Sequence, residues 1–211
     1  MGIELDSKLA AYVRLLESWP GLTARGEDAA ALVEDALALL PHLGDAVRLV
    51  DVGSGGGMPG IPLQLARPEL QVTLVESDRR KAAFLEHAAA RLGLALTVLA
   101  ERAETVGQGP LRETFDAACS RALAALPVAA ELCLPLVRVG GRMLALRTDA
   151  EDPGAAAGAL RRLGGGEPEL APASSRLRER GVVVVVPKLA PTPAEYPRRP
   201  GLPARRPLSK L

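Results

Sequence analysis

The stretch Leu49-Val50-Asp51-Val52-Gly53-Ser54-Gly55-Gly56-Gly57-Met58-Pro59-Gly60 decides the fold. An apolar strand runs straight into a glycine-dense turn, and Pro59 or Pro62 then stands near the first turn of a following helix. Glycines let the backbone turn sharply and let a nucleotide approach the main chain closely. Two cofactor classes use such a loop, and spacing separates them. Gly53, Gly55 and Gly57, following Asp51, give the Asp-x-Gly-x-Gly-x-Gly pattern of S-adenosylmethionine enzymes, beginning at the strand's end. Gly55, Gly57 and Gly60 also spell the dinucleotide fingerprint G-x-G-x-x-G. In that later register Pro59 and Pro62 stand where a phosphate-binding helix offers free N–H groups. S-adenosylmethionine carries no phosphate, so the prolines cost it nothing. The first register is preferred, with a dinucleotide binder and a purely structural turn as the alternatives.

Outward from the turn, short apolar runs alternate with helical segments. Arg48–Val52, Val72–Glu76, Leu96–Leu99, Phe115–Ser120 and Arg142–Leu146 read as strands, and Pro62–Arg67, Arg79–Leu92 and Leu123–Leu136 as helices. Fully apolar strands in such alternation predict a parallel sheet covered on both faces. Past Gly164-Gly165-Gly166, Glu169–Ala171 and Gly181–Val186 read as strands with no helix between them, hence an antiparallel hairpin at the sheet edge. Arg176, Arg178 and Arg180 alternate along a possible strand and would share one face, as a charged edge or an RNA-binding stripe. Upstream, Leu9, Tyr12, Val13, Leu15 and Leu16 recur at the helical period within Leu5–Ser18. Pro20-Gly21 stops that helix, and a second runs from about Asp28 to Leu40.

The expected architecture is therefore α/β, a Rossmann-like class I methyltransferase fold. It has a mostly parallel sheet, a C-terminal antiparallel hairpin and an N-terminal helical extension. Residues 1–44 form the extension packed on the core, 45–190 the S-adenosylmethionine-binding core, and 191–211 a Pro/Arg-rich tail, within a single domain overall. Prolines throughout the tail predict that it lacks regular structure, and its arginines suit either a solvated wrap or a pre-extended arm that touches phosphates.

At 211 residues the chain suits one such domain, and 48% hydrophobic against 24% charged residues marks it as globular. A net charge of +1 means that any nucleic-acid contact must come from local basic patches. Cys119 and Cys133 are too few for a disulfide framework or a zinc site, and no metal is expected. The N-terminal Met1-Gly2-Ile3-Glu4-Leu5-Asp6 has no signal-peptide character, and no apolar stretch approaches a membrane span. The expected compartment is the cytoplasm.

Glu76, ending the second strand, stands where an acid meets ribose hydroxyls, accepting both hydrogens. Glu104, after the third strand, is a candidate adenine neighbour. Arg121, at the carboxyl edge of the fourth strand, faces the ligand crevice and suits a guanine edge or an RNA backbone. Ser120 would orient that turn, and Arg147 suits a phosphate near the same edge. Cys119, inside an apolar strand, reads as core rather than as a nucleophile, and so does Cys133.

Asp51–Gly60 with Ile61-Pro62-Leu63, Ala66-Arg67-Pro68-Glu69-Leu70 and Val75-Glu76-Ser77 resembles the bacterial glucose-inhibited division protein B family. So do Ala103-Glu104, Phe115-Asp116, Ser120-Arg121-Ala122, Gly140-Gly141-Arg142, Ala145-Leu146 and the tail segment Thr192-Pro193-Ala194-Glu195-Tyr196-Pro197-Arg198-Arg199-Pro200-Gly201. The chain departs from that family at Leu32-Val33-Glu34-Asp35-Ala36-Leu37, where acids replace a basic, His-containing motif. Arg147 replaces a lysine, and Arg180-Gly181 replaces an Arg-His pair.

The resemblance implies an S-adenosylmethionine-dependent enzyme that methylates N7 of a guanine in 16S ribosomal RNA, with the RNA or the small subunit as partner and a monomeric state. With the residue readings it gives a cofactor site of Asp51, Gly53, Ser54, Gly55, Gly57, Pro59, Glu76, Ser77, Ala103, Glu104 and Arg121. Arg121 and Ser120 are expected at the chemistry, and Arg147, Arg198, Arg199, Arg205 and Arg206 on the RNA. A paralogue methylating a small molecule or protein, and a non-catalytic cofactor-binding assembly factor, are the alternatives.

Overall fold

The computed structural model describes residues 7–22, 28–148 and 153–208. The readings that fall on Met1–Asp6, on Thr23 and Ala24 and on Lys210 lie outside them. In chain order the elements are α1 (Ser7–Ser18), α2 (Ala29–Leu37), β1 (Arg48–Val52), α3 (Gly60–Ala66), β2 (Gln71–Val75), α4 (Arg79–Leu92), β3 (Thr97–Leu99), α5 (Ala103–Gly107), β4 (Phe115–Arg121), α6 (Leu126–Cys133), β5 (Val137–Thr148), α7 (Ala157–Arg162), β6 (Glu169–Pro172), β7 (Gly181–Pro187) and α8 (Leu202–Arg205). The seven-stranded sheet has the order β3-β2-β1-β4-β5-β7-β6. β1 to β5 pair in parallel, whereas β7 runs antiparallel to both β5 and β6. The hairpin at the sheet edge is thus present, with β7 inserted and β6 outermost.

Local chemistry sets these boundaries. Asp78 caps α4 by accepting from Arg80 N and Lys81 N, and Gly93 ends it in the left-handed region at φ 66°. Asp28 caps α2 through Ala31 N. One face of the sheet is covered by α1 to α4 around Leu49, Leu63, Leu74 and Phe84, with Trp19 of the α1 end edge-on to Phe84 at 5.3 Å. The other is covered by α6 and α7 around Val50, Ala118, Leu132 and Leu160, joined by Tyr196 and Leu208 of the tail. Strands buried on both faces explain the uninterrupted apolar runs. Cys119 and Cys133 are both buried, and burial pushes both thiols up.

Two expectations need correction. Arg176, Arg178 and Arg180 do not alternate along a strand: the segment turns tightly, closed by paired Ser175–Arg178 main-chain bonds. The tail is not without regular structure, since α8 forms a short helix with Pro203 in its first turn. Nor is the tail merely laid on the surface. Arg112 donates to Tyr196 O and Thr192 O, each at 2.6 Å, and Gln108 donates to Pro197 O at 2.9 Å. Prolines cannot donate, so these outside donors satisfy the tail's carbonyls. Lys188, fully buried, donates to Leu134 O at 2.7 Å and to the Thr192 hydroxyl, with Glu113 3.2 Å away.

The firmest fastening is Glu131. This fully buried acid of α6 accepts the Arg198 main-chain N–H at 2.9 Å and its guanidinium at 2.7 and 2.6 Å. An ionised carboxylate left there alone has no water to turn to. Arg198→Ala should therefore cost about 3 kcal/mol of unfolding free energy, read by urea titration. Adding Glu131→Gln should recover much of that loss.

Candidate functional site

The glycine loop has almost no side chains of its own, so the groups around it set its path. From β1, the fully buried Asp51 accepts the Gly60 N–H through Oδ2 at 2.9 Å. From the end of β2, Glu76 accepts the Gly55 N–H at 2.9 Å and the Asp78 N–H at 2.8 Å. Gly53 N and Ser54 N both end on Val75 O. From α1, Tyr12 donates its hydroxyl to Gly56 O at 2.5 Å. Gly53 and Gly57 sit at φ 71° and 92°, where a Cβ would lie 2.4 Å from Leu123 Cδ1 and 2.5 Å from Ile61 Cδ1. The left-handed backbone favours glycine at both places, and at Gly57 the buried Ile61 and Leu85 add a steric demand.

This geometry bears on which cofactor fits. The first N–H of α3, at Gly60, is taken by Asp51, Ile61 N bonds Gly57 O, and Pro62 has none. The N-terminus of α3 is thus not left to hold a pyrophosphate. Glu76 keeps spare lone pairs on both oxygens, as an acceptor of ribose hydroxyls requires. The residues present fit S-adenosylmethionine.

Two cavities open on either side of Gly53. The first is lined by Val52, Gly53, Val75, Ser77, Glu101 to Glu104, Leu123 and Leu132, which gives it both apolar and charged walls. The second is lined by Gly53 to Gly56, Met58, Arg121 and Leu16, Leu22 and Leu32 of the N-terminal segments.

Of the cofactor residues expected from sequence, Gly53, Ser54, Gly55, Ser77, Ala103, Glu104 and Arg121 line these cavities. Asp51, Gly57, Pro59 and Glu76 shape the loop from behind. Glu104 is engaged already: it pairs with Arg102 at 2.8 Å and accepts the tail's Gly201 N–H at 2.8 Å. Burial alone would raise its carboxyl, but these donors outweigh burial and hold it below its ordinary value.

Ser120 and Arg121 are neighbours on a strand and face opposite ways. Arg121 reaches the second cavity, while Ser120 is buried against the Cys133 thiol and lines neither. Arg147, at the end of β5, is turned inward beside Arg178. Arg198 is committed to Glu131, whereas Arg199, Arg205 and Arg206 are exposed. Sequence reasoning missed Asp35, which Arg121 meets at 2.9 Å, and the apolar walls Leu123 and Leu132. An acid amid the apolar positions of α2 was the available signal for the first.

Comparison with known proteins identifies the family and the fold. The family model GidB, described as rRNA small subunit methyltransferase G, matches residues 6–159. The ribosomal RNA small subunit methyltransferase G of Roseiflexus sp. (strain RS-1) is 43% identical over 98% of this chain and 95% of its own. That of Rubrobacter xylanophilus is 41% identical over 96% of this chain and 83% of its own. Among solved structures, the S-adenosylmethionine-dependent methyltransferase SibL in its apo form matches 88% of this chain and 70% of its own, at TM-score 0.64 and 18% identity. A methyltransferase from Methanococcus maripaludis matches 90% and 98%, at TM-score 0.59 and 12% identity. At such identities these structures establish the fold alone: a class I methyltransferase sheet.

Burial, opposed by the Gly60 N–H and reinforced by the charge of Glu76, pushes Asp51 from 3.8 up to about 7. Between those values the unfolded chain gives up a proton that the folded chain keeps, so stability falls as pH rises through that window and levels off above it. Asp51→Asn should remove this fall, of the order of 3 kcal/mol, in urea unfolding from pH 4 to pH 8. Glu76→Gln should weaken S-adenosylhomocysteine binding by roughly ten- to a hundredfold in calorimetry, the loss of charged hydrogen bonds.

Proposed function

Because the chain belongs to the GidB family, rRNA small subunit methyltransferase G, we propose that it methylates N7 of a guanine in 16S ribosomal RNA. The observation that carries this reading is the position of Arg121, beside the glycine loop in the cavity next to the cofactor slot. Guanine N7 presents an in-plane lone pair and carries no proton. An in-line displacement there needs orientation rather than a general base. S-adenosylmethionine, when bound, supplies an electrophilic methyl group.

The chain's own residues do the rest. Glu76 holds the ribose, and the slot between Ala103 and Leu132 takes the adenine. The glycine loop sets the depth at which the sulfonium end lies. Arg121 meets the acceptor base at its O6/N7 edge or the adjoining phosphate. A histidine base is not needed for this step, so the departures from the family at α2 and before β7 leave the chemistry intact. The exposed Arg199, Arg205 and Arg206 contact RNA phosphates. The enzyme works as a monomer in the cytoplasm, on the RNA or the small subunit. Among the described residues, no helix is long and apolar enough to cross a membrane.

Labelled methyl should pass from S-adenosylmethionine to one guanine of small-subunit RNA that lacks its N7 methyl. Arg121→Ala should slow this by about tenfold or more, the worth of a charged hydrogen bond. Absence of label on naked RNA and on whole subunits, while S-adenosylhomocysteine demonstrably binds, sinks the ribosomal reading.

A further inference from the structure

α2 buries an acid where its neighbours Leu32, Val33, Ala36 and Leu37 are all core. Asp35 is fully inaccessible, and the side chains it holds come from segments far away in the chain. Arg121 Nε, at the end of β4, donates to Oδ2 at 2.9 Å. Ser175 Oγ donates to Oδ1 at 2.8 Å, and Arg178 Nε donates at 3.1 Å. Ser175 and Arg178 lie on the turn between β6 and β7. Next to them Arg176 Nε donates to Glu34 at 2.6 Å, with Asp28 3.6 Å from the same guanidinium.

Two features separate this cluster from an ordinary structural ion pair. First, Arg121 also lines the cavity beside Ser54 and Gly55, so the group that Asp35 grips borders the glycine loop. Second, the grip is on Nε. That bond fixes the plane of the guanidinium and leaves its Nη edge as the side the bond does not engage. A long, flexible side chain is thereby held in one orientation before substrate arrives, and the ordering cost of binding is met in advance. Burial and the nearby Arg121 and Arg147 make Arg178 a strained cation, held in place by the same carboxylate.

We propose that Asp35 is the positioning residue for Arg121: it orients the guanidinium at the mouth of the acceptor cavity and couples that orientation to the β6–β7 turn. This rests on the methyltransferase reading above, and it adds a residue that acts through Arg121 without touching cofactor or base. The acids of α2 are then part of the acceptor site, held one layer behind it.

The test separates positioning from mere stability. Wild type, Asp35→Asn, Arg121→Ala and the double variant are compared for S-adenosylhomocysteine affinity and for kcat and KM on small-subunit RNA. Asp35→Asn should leave cofactor affinity within about twofold and lower kcat/KM by about tenfold, yet add less than about twofold on top of Arg121→Ala. Equal losses in both backgrounds, or no loss, overturn the proposal. If Asp35→Asn alone does not fold, Asp35→Asn with Arg178→Met removes a cation together with the anion, and the same cycle is run there. A second readout needs no RNA activity. The Arg121 Nε–Hε resonance, assigned by its absence in Arg121→Lys, should be sharp in wild type and broadened in Asp35→Asn. A resonance indifferent to Asp35 overturns the proposal even if the RNA turns out not to be the substrate.

Discussion

Two main-chain amides, Gly55 N–H and Gly60 N–H, each end on a carboxylate, and the crevice depends on that pair of bonds. A loop of glycines has the freedom to adopt many paths and no side chains with which to choose one. Asp51 chooses from beneath and Glu76 from the neighbouring strand, while Tyr12 closes over the top through Gly56 O. The arrangement is not free of strain. Asp51 Oδ1 has no hydrogen-bond partner among the described residues, and burial raises the carboxyl.

The outlying parts of the chain are fastened by the same device. α2 carries Asp35 and α6 carries Glu131, both fully buried, and each captures arginine from a distant segment. With only 2% aromatic residues, the apolar cover is built mainly of Ala, Leu and Val, whose smooth surfaces pack in many near-equivalent ways. A buried carboxylate is less forgiving, because only one placement of its partner avoids a stranded charge. The tail is held beside the first cavity in this way. Gly201 N–H ends on Glu104, so the tail is fastened to a residue that lines the first cavity.

This division explains what could be read in advance. The strands, the glycine loop and the place of Glu76 just past β2 follow from periodicity and short spacing, because each is fixed by neighbours close in sequence. The hairpin at the sheet edge was legible for the same reason. Asp35 was not: its partners lie 86, 140 and 143 residues away. The commitment of Arg198 to Glu131, across 67 residues, was equally hidden, and the arginine read as a free basic arm. The turn at Arg176–Arg178 looked like an alternating strand because alternation of charge says nothing about what the charges meet. An acid in the middle of an apolar helix face is the one local sign of such long-range pairs, and both α2 and α6 carry it.

The acids of α2 also balance a cluster of arginines. A basic helix at that place would add cations where Arg121, Arg147 and Arg178 already gather. Like charges in a poorly solvated layer repel strongly, and each would be driven toward solvent. With Asp35 among them, the arginines can remain close together at the carboxyl edge of the sheet. In this chain the positive charge of that edge is carried by β4, β5 and the β6–β7 turn, and Asp35 is the anion that Arg121 and Arg178 share.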